Sequence, residues 1–230
     1  MGRRIGLLLA LGSVAGVALA APSGAFGATT LGETFQPGAC SPETYIQTAD
    51  PGNHYMVPFD GVITRWSYQS DSTPPDQMKF KVGRTAPGAD LSMNTNVTIV
   101  GQSSLEPIEP STLNTYGSQI RVKAGDRIGE AIEADCSRQD DTFTDHFFGD
   151  DVQPGVTELF TVENFQQDIS AVLEADCDND GLGDETQDPD TTSCHPAVTQ
   201  PVVMKKKCKK KKHKHSAESA KKKHCKKKKK

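Results

Sequence analysis

The residues with the clearest chemical specification are the acids of Asp176–Asp188, which read Asp-Cys-Asp-Asn-Asp-Gly-Leu-Gly-Asp-Glu-Thr-Gln-Asp. Carboxylates stand at positions 1, 3, 5 and 9 of this stretch, as Asp176, Asp178, Asp180 and Asp184, with a further one at Asp188. Hard divalent cations take six to eight oxygen ligands, and a short loop with acids at alternate positions supplies several from one turn of chain. Gly181 at position 6 provides the sharp turn, and the backbone carbonyl of Leu182 at position 7 adds a neutral oxygen. The expected ligand set is therefore Asp176, Asp178, Asp180, Leu182, Asp184 and Asp188, and the expected cofactor is Ca2+. Without a cation these charges repel one another, which predicts an expanded loop.

On those residues the loop resembles the calcium loops of thrombospondin type 3 repeats and of EF-hand-like bacterial modules. It departs from the EF-hand pattern at position 12, where Gln187 replaces the expected bidentate Glu and the carboxylate arrives one residue later, at Asp188. Pro189 follows at once, so the flanking helix of an EF-hand is not expected. The form Asp-Gly-Leu-Gly-Asp-Glu-Thr-Gln-Asp is also similar to single loops found after β-domains in secreted bacterial proteins. That resemblance implies extracellular calcium binding and no enzymatic activity.

A calcium loop needs a scaffold, and residues 29–174 are read as one β-domain. Their apolar period is two: Met78, Phe80 and Val82 alternate with Lys79 and Lys81, and Ile120, Val122 and Ala124 with Arg121 and Lys123. Val62, Thr64, Trp66 and Tyr68 are expected on one face of a strand entered through Asp60-Gly61. Ile169, Ala171 and Leu173 point one way and lead straight into the loop. Short strands punctuated by Gly, Pro and Asp predict an all-β fold, a single β-sandwich of jelly-roll type, with no structural helix. The stretches Val57–Trp66 and Val122–Gly129 resemble the β-domains that precede such calcium loops in secreted bacterial proteins, which implies the same fold and assigns no function.

The ends set the compartment. Arg3 and Arg4, the apolar run Ile5–Ala20 and the small-residue site Ala18-Leu19-Ala20 form the three parts of a secretory signal over residues 1–20. Secretion favours disulfides, and six cysteines allow fifteen pairings. Proximity along the chain suggests Cys177–Cys194, closing the loop segment 175–194, and Cys40–Cys136 across the body.

The formal net charge of −4 conceals a bipolar chain. Residues 204–230 carry 16 Lys and one Glu, whereas residues 21–203 carry 8 Lys and Arg against 29 Asp and Glu. The segment 195–230 is read as a disordered basic tail. Its expected partners are anionic cell-wall or extracellular polymers. Aromatic residues are absent from it, which argues against sequence-specific nucleic-acid recognition.

The body's histidines are His54 and His146, and neither belongs to a Gly-x-Ser-x-Gly or His-Glu-x-x-His motif, so no enzyme is expected. The leading expectation is a secreted, non-enzymatic calcium-binding protein held electrostatically at an extracellular surface. The alternative is a carbohydrate-active domain that binds or hydrolyses glycan, with Tyr45, Tyr55, Trp66, Tyr68 and Tyr116 as a stacking platform.

Overall fold

The computed structural model describes residues 27–38, 42–132 and 137–190. The expected signal segment, Cys40, Cys136, Cys194 and the tail 195–230 lie outside the described residues. Among the described residues thirteen strands run in chain order: β1 Thr29–Glu33, β2 Thr44–Ala49, β3 Gly61–Gln69, β4 Gln77–Thr85, β5 Thr95–Gln102, β6 Glu106–Pro107 and β7 Leu113–Val122. They continue as β8 Arg127–Ile132, β9 Ser137–Gln139, β10 Thr144–Phe148, β11 Thr157–Glu163, β12 Phe165–Gln167 and β13 Ile169–Ala175. No helix occurs among the described residues, so the all-β class holds.

The strand pairing differs from the expected single jelly-roll sandwich. One sheet has four strands in the order β1-β13-β3-β7. The other runs β5-β11-β10-β2-β8-β4, and β4 also pairs with β5, so six strands close into a ring with β6 appended to β4. Closure leaves those six strands without a free edge. The short pair β9–β12 forms its own two-stranded ladder, tied to β2 and β10 through Gln47, Gln167 and Asp145.

Two apolar cores follow from this arrangement. The larger lies between the four-stranded sheet and the outer face of β2, β4 and β8. Ile63, Trp66, Ile120 and Leu173 there meet Tyr45, Phe80, Val82 and Ile128. Trp66 stacks on Phe80 across the interface, with ring centroids 6.0 Å apart. The smaller core fills the ring with Ile46, Val97, Ile99, Val152 and Phe160. The lumen is narrow enough that a Cβ on Gly83 would come within 2.9 Å of both Ile46 and Val97. The alternation of Met78, Phe80 and Val82 is borne out, since all three are fully buried on one face of β4.

β3 departs from strict alternation. Its register against β7 shifts between Ile63 and Arg65, and that of β13 against β3 shifts between Val172 and Leu173. A bulge of this kind moves the strand by one residue and flips the faces beyond it. Ile63, Trp66 and Tyr68 consequently share the core, whereas Val62 is absent from it and Thr64 hydrogen-bonds to Glu174. The expected common face for Val62, Thr64, Trp66 and Tyr68 is thus split by the bulge.

Candidate functional site

β13 ends at Ala175, and Asp176 follows with no intervening spacer. The chain does not run on in the strand direction. It folds back across the outer face of the four-stranded sheet, opposite the large core. The row that receives it is set by register: Glu174 of β13 lies beside Val62 of β3, which lies beside Arg121 of β7. Partners in such a row project from the same face of an antiparallel sheet.

Glu174 is the anchor. It is fully buried, and its carboxylate accepts four hydrogen bonds: from Thr64 Oγ1 (2.8 Å), Thr186 Oγ1 (2.7 Å), Glu185 N (3.0 Å) and Thr186 N (2.9 Å). Burial alone would push its proton affinity up, but those donors outweigh burial and hold the carboxyl below the usual range. Gln187 is the second staple. Its Oε1 accepts from Gly183 N (3.2 Å) and its Nε2 donates to Ser118 O on β7 (2.8 Å). Position 12 therefore ties the loop to the sheet in place of offering a carboxylate.

Within the loop, backbone N–H groups arrange the acids. Asp176 Oδ2 accepts from Gly181 N (3.0 Å), Asp178 Oδ1 from Asp180 N (3.1 Å) and Asp180 Oδ1 from Leu182 N (2.7 Å). Asp184 Oδ2 accepts from Cys177 N at 2.9 Å, and Asp184 N donates to Ala175 O at 3.0 Å. Gly181 has φ of +92°, in the left-handed region that residues with a Cβ rarely adopt.

These contacts gather the sequence-predicted acids into two overlapping triads. Asp176, Asp178 and Asp180 each bring a carboxylate oxygen within 4.8 Å of the others, and so do Asp178, Asp184 and Asp188. Ligand oxygens at 2.3–2.6 Å from a calcium ion stand at most about 5 Å apart, so either triad is compact enough to share one ion. Asp176 Oδ1 and Asp188 Oδ2 are buried and accept no hydrogen bond among the described residues. Crowding is felt at Asp184, whose proton affinity is raised by burial first and then by Asp176, Asp178 and Asp188. Asp178 and Asp180 are exposed, which leaves an approach from solvent. The half-buried Leu182 lies between Asp180 and Asp184 in sequence.

Cys177, expected in a disulfide, occupies the second loop position; its expected partner Cys194 is outside the described residues. Sequence reasoning missed Glu174, Gln187, Ser118 and Arg121, which position the loop. No sequence signal marked Glu174: it alternates with Ile169, Ala171 and Leu173 onto the opposite face, where an acid is ordinarily solvated.

A second concentration of acids lies in the body, away from the loop. Glu130 of β8, Asp145 of β10 and Asp168 are fully buried. Among the described residues, both Glu130 oxygens and Asp168 Oδ2 lack a hydrogen-bond partner. Asp145 accepts from Phe165 N (3.1 Å) and Gln167 Nε2 (2.8 Å), and Asp168 Oδ1 from Phe35 N (2.8 Å). Burial pushes Asp145 up to about 7, Asp168 up to about 8 and Glu130 well above the ordinary carboxyl range.

The remaining candidates are dispersed. His146 is fixed by Thr48 Oγ1 on Nδ1 (2.7 Å) and Met93 O on Nε2 (2.9 Å), while Asp145, next to it along β10, points to Gln167. Trp66, Tyr55 and Tyr68 are fully buried and Tyr45 is nearly so, which removes four of the five aromatics from the expected stacking platform. No helix among the described residues is long and apolar enough to cross a membrane. Comparison of the chain with protein-family models, curated proteins and solved structures returns no match.

Proposed function

We propose that this chain is a secreted, non-enzymatic calcium-binding β protein. In this reading a single acidic loop completes the fold, and the Lys-rich C-terminal segment attaches the molecule to anionic extracellular or cell-wall polymers. The observation that carries the calcium assignment is the pair of buried, unpartnered oxygens, Asp176 Oδ1 and Asp188 Oδ2, at the two ends of a five-aspartate loop. A buried carboxylate oxygen without a donor or cation is costly, and a divalent ion would remove that cost at both ends of the loop. Asp176, Asp178 and Asp180 would hold one side of the ion and Asp184 and Asp188 the other, with Leu182 O between them. The expected Cys177–Cys194 disulfide belongs to the same proposal and would close the segment behind the ion.

The ion's chemistry here is structural: it would neutralise the aspartates and lock the loop to β13. Extracellular modules of this kind bind with Kd on the order of 10⁻⁴–10⁻³ M. Titration calorimetry of the full chain with calcium chloride tests this. The Asp178→Ala, Asp180→Ala double variant is expected to lose the binding heat, and equal uptake by that variant would sink the assignment.

A further inference from the structure

Arg121 is the base that reaches the loop from the body among the described residues. It lies on the outer face of β7, one row-partner beyond Val62 from Glu174. Its Nη2 donates to Asn179 O at 3.0 Å, and its Nε lies 3.8 Å from Asp176 Oδ2. That carboxylate is only 5% exposed, and its other oxygen, Oδ1, is one of the two unpartnered ones. The guanidinium also passes directly over Gly181, where a Cβ would come within 2.5–2.8 Å of Nε, Nη2 and Cζ. Gly181 is required by its φ, whereas a Cβ there would only displace the flexible end of the half-exposed Arg121 side chain.

Other bases nearby are differently engaged. Arg84, Arg121 and Lys123 line a cleft of about 420 Å³ beside the loop together with Asp60 and Asp176. Arg84 is held by Asp126 through a bidentate pair at 2.6 and 2.8 Å. Arg121 alone of the three has a hydrogen bond or ion pair to a loop residue among the described residues.

We propose that Arg121 is an affinity-setting internal counter-ion for the loop. It holds the loop against β7 when no metal is bound, and its charge opposes the metal when one is. This rests on the calcium reading above. The physical argument is competition for Asp176. A guanidinium beside Oδ2 relieves part of the repulsion among the aspartates, so the metal-free loop stays folded on the sheet. A divalent ion on Oδ1 of the same carboxylate then sits close to a fixed positive charge and is repelled by it. At the dielectric and ionic screening of a protein surface, a repulsion of this kind amounts to roughly a 3–10-fold weakening of affinity.

The two effects run in opposite directions, which separates this role from a simple anchor. Arg121→Gln in the full chain is expected to bind calcium chloride about 3–10-fold more tightly by calorimetry. Its melting temperature in chelator should fall below that of the unsubstituted protein. Arg121→Lys, which keeps the charge, is expected to bind calcium nearly as the unsubstituted protein does. The gain in Arg121→Gln should shrink as sodium chloride is raised. An unchanged or weaker calcium affinity in Arg121→Gln, with the unsubstituted chain binding normally, overturns the counter-ion role and leaves the calcium site standing. Absence of calcium uptake by the unsubstituted chain overturns both.

Discussion

Thr64 Oγ1 donates to Glu174 Oε1 at 2.8 Å, and this bond joins the β3 bulge to the strand that launches the acidic loop. Thr64 points outward in alternation with Ile63, and the bulge there returns Trp66, not Arg65, to the Ile63 face. Glu174 is buried only because the loop folds over it. Each contact depends on a different long-range event: strand register in one case and chain reversal in the other. The pair is where the body and the loop become one structure.

Removing that junction should cost more than a surface hydrogen bond. Glu174→Ala strands the N–H groups of Glu185 and Thr186 and two hydroxyls. Deleting one partner of a buried polar contact costs about 1–3 kcal/mol. The expected loss is roughly 2–3 kcal/mol by urea unfolding, with Thr64→Ala near 1 kcal/mol and the double variant less than additive because the two share a bond. Additivity of the two losses would show that Thr64 and Glu174 act independently.

Proton linkage gives the fold two opposite pH dependences. The Glu174 carboxyl is held low in the folded state, so its contribution is present above the unfolded value near 4.5 and is lost as pH falls through the lower folded value. Asp145 and Asp168 are raised to about 7 and about 8, so their contribution is complete below the unfolded value near 3.8 and is lost as pH rises through 7 and 8. Glu130 shifts in the same direction. The charged groups electrostatically coupled to these acids are Glu163 at Asp145, Arg138 at Asp168, and Asp168 and Asp145 at Glu130. The melting temperature in chelator should therefore fall as pH rises from about 4 to about 8, and Asp168→Asn should flatten that fall. A profile that rises over the same range would contradict neutral buried acids.

Much of this was legible in the chain. The period-two pattern of Met78, Phe80 and Val82 specified a buried strand face, and the spacing of Asp176, Asp178, Asp180 and Asp184 specified which acids would meet. Closure of the ring by β4–β5 was not legible, because open and closed sheets share the same alternation. The β3 bulge was hidden for a related reason: Val62, Thr64, Trp66 and Tyr68 are spaced for a regular strand, and the shift appears only in pairing with β7 and β13. Arg121 and Gln187 look like ordinary surface residues until register places β7 beneath the loop. Gln187 also shows that a residue departing from a motif can carry a structural role, since it ties the loop to Ser118.

The basic segment makes a prediction from charge alone. Sixteen Lys lie within residues 204–230, and neutralising an anionic polymer releases its counterions, so attachment should fall steeply with salt. Deleting residues 204–230 is expected to free the protein from isolated cell wall or polyphosphate at low salt, with calcium binding unchanged. Equal retention of the truncated protein at low salt would assign attachment to the body.

Calcium should stabilise the whole domain, because the loop's anchors belong to its strands. Glu174 is part of β13, Gln187 reaches Ser118 on β7, and Asp184 N donates to Ala175 O at the end of β13. An ion that fixes Asp176 and Asp184 therefore fixes the terminal turn of β13, and β13 lies between β1 and β3. A ligand that binds the folded state alone adds RT ln(1 + [L]/Kd), roughly 1.4 kcal/mol at a free calcium concentration of about 10 Kd. Trp66, the sole tryptophan, lies in the large core, so its fluorescence reports unfolding of the body and not of the loop. The Trp66 unfolding midpoint should therefore move upward with calcium, and the Asp178→Ala, Asp180→Ala variant should show no shift. If calcium binds by calorimetry while the Trp66 midpoint stays fixed, the ion is held by a loop energetically separate from the sheet, and the junction through Thr64 and Glu174 does not transmit its binding.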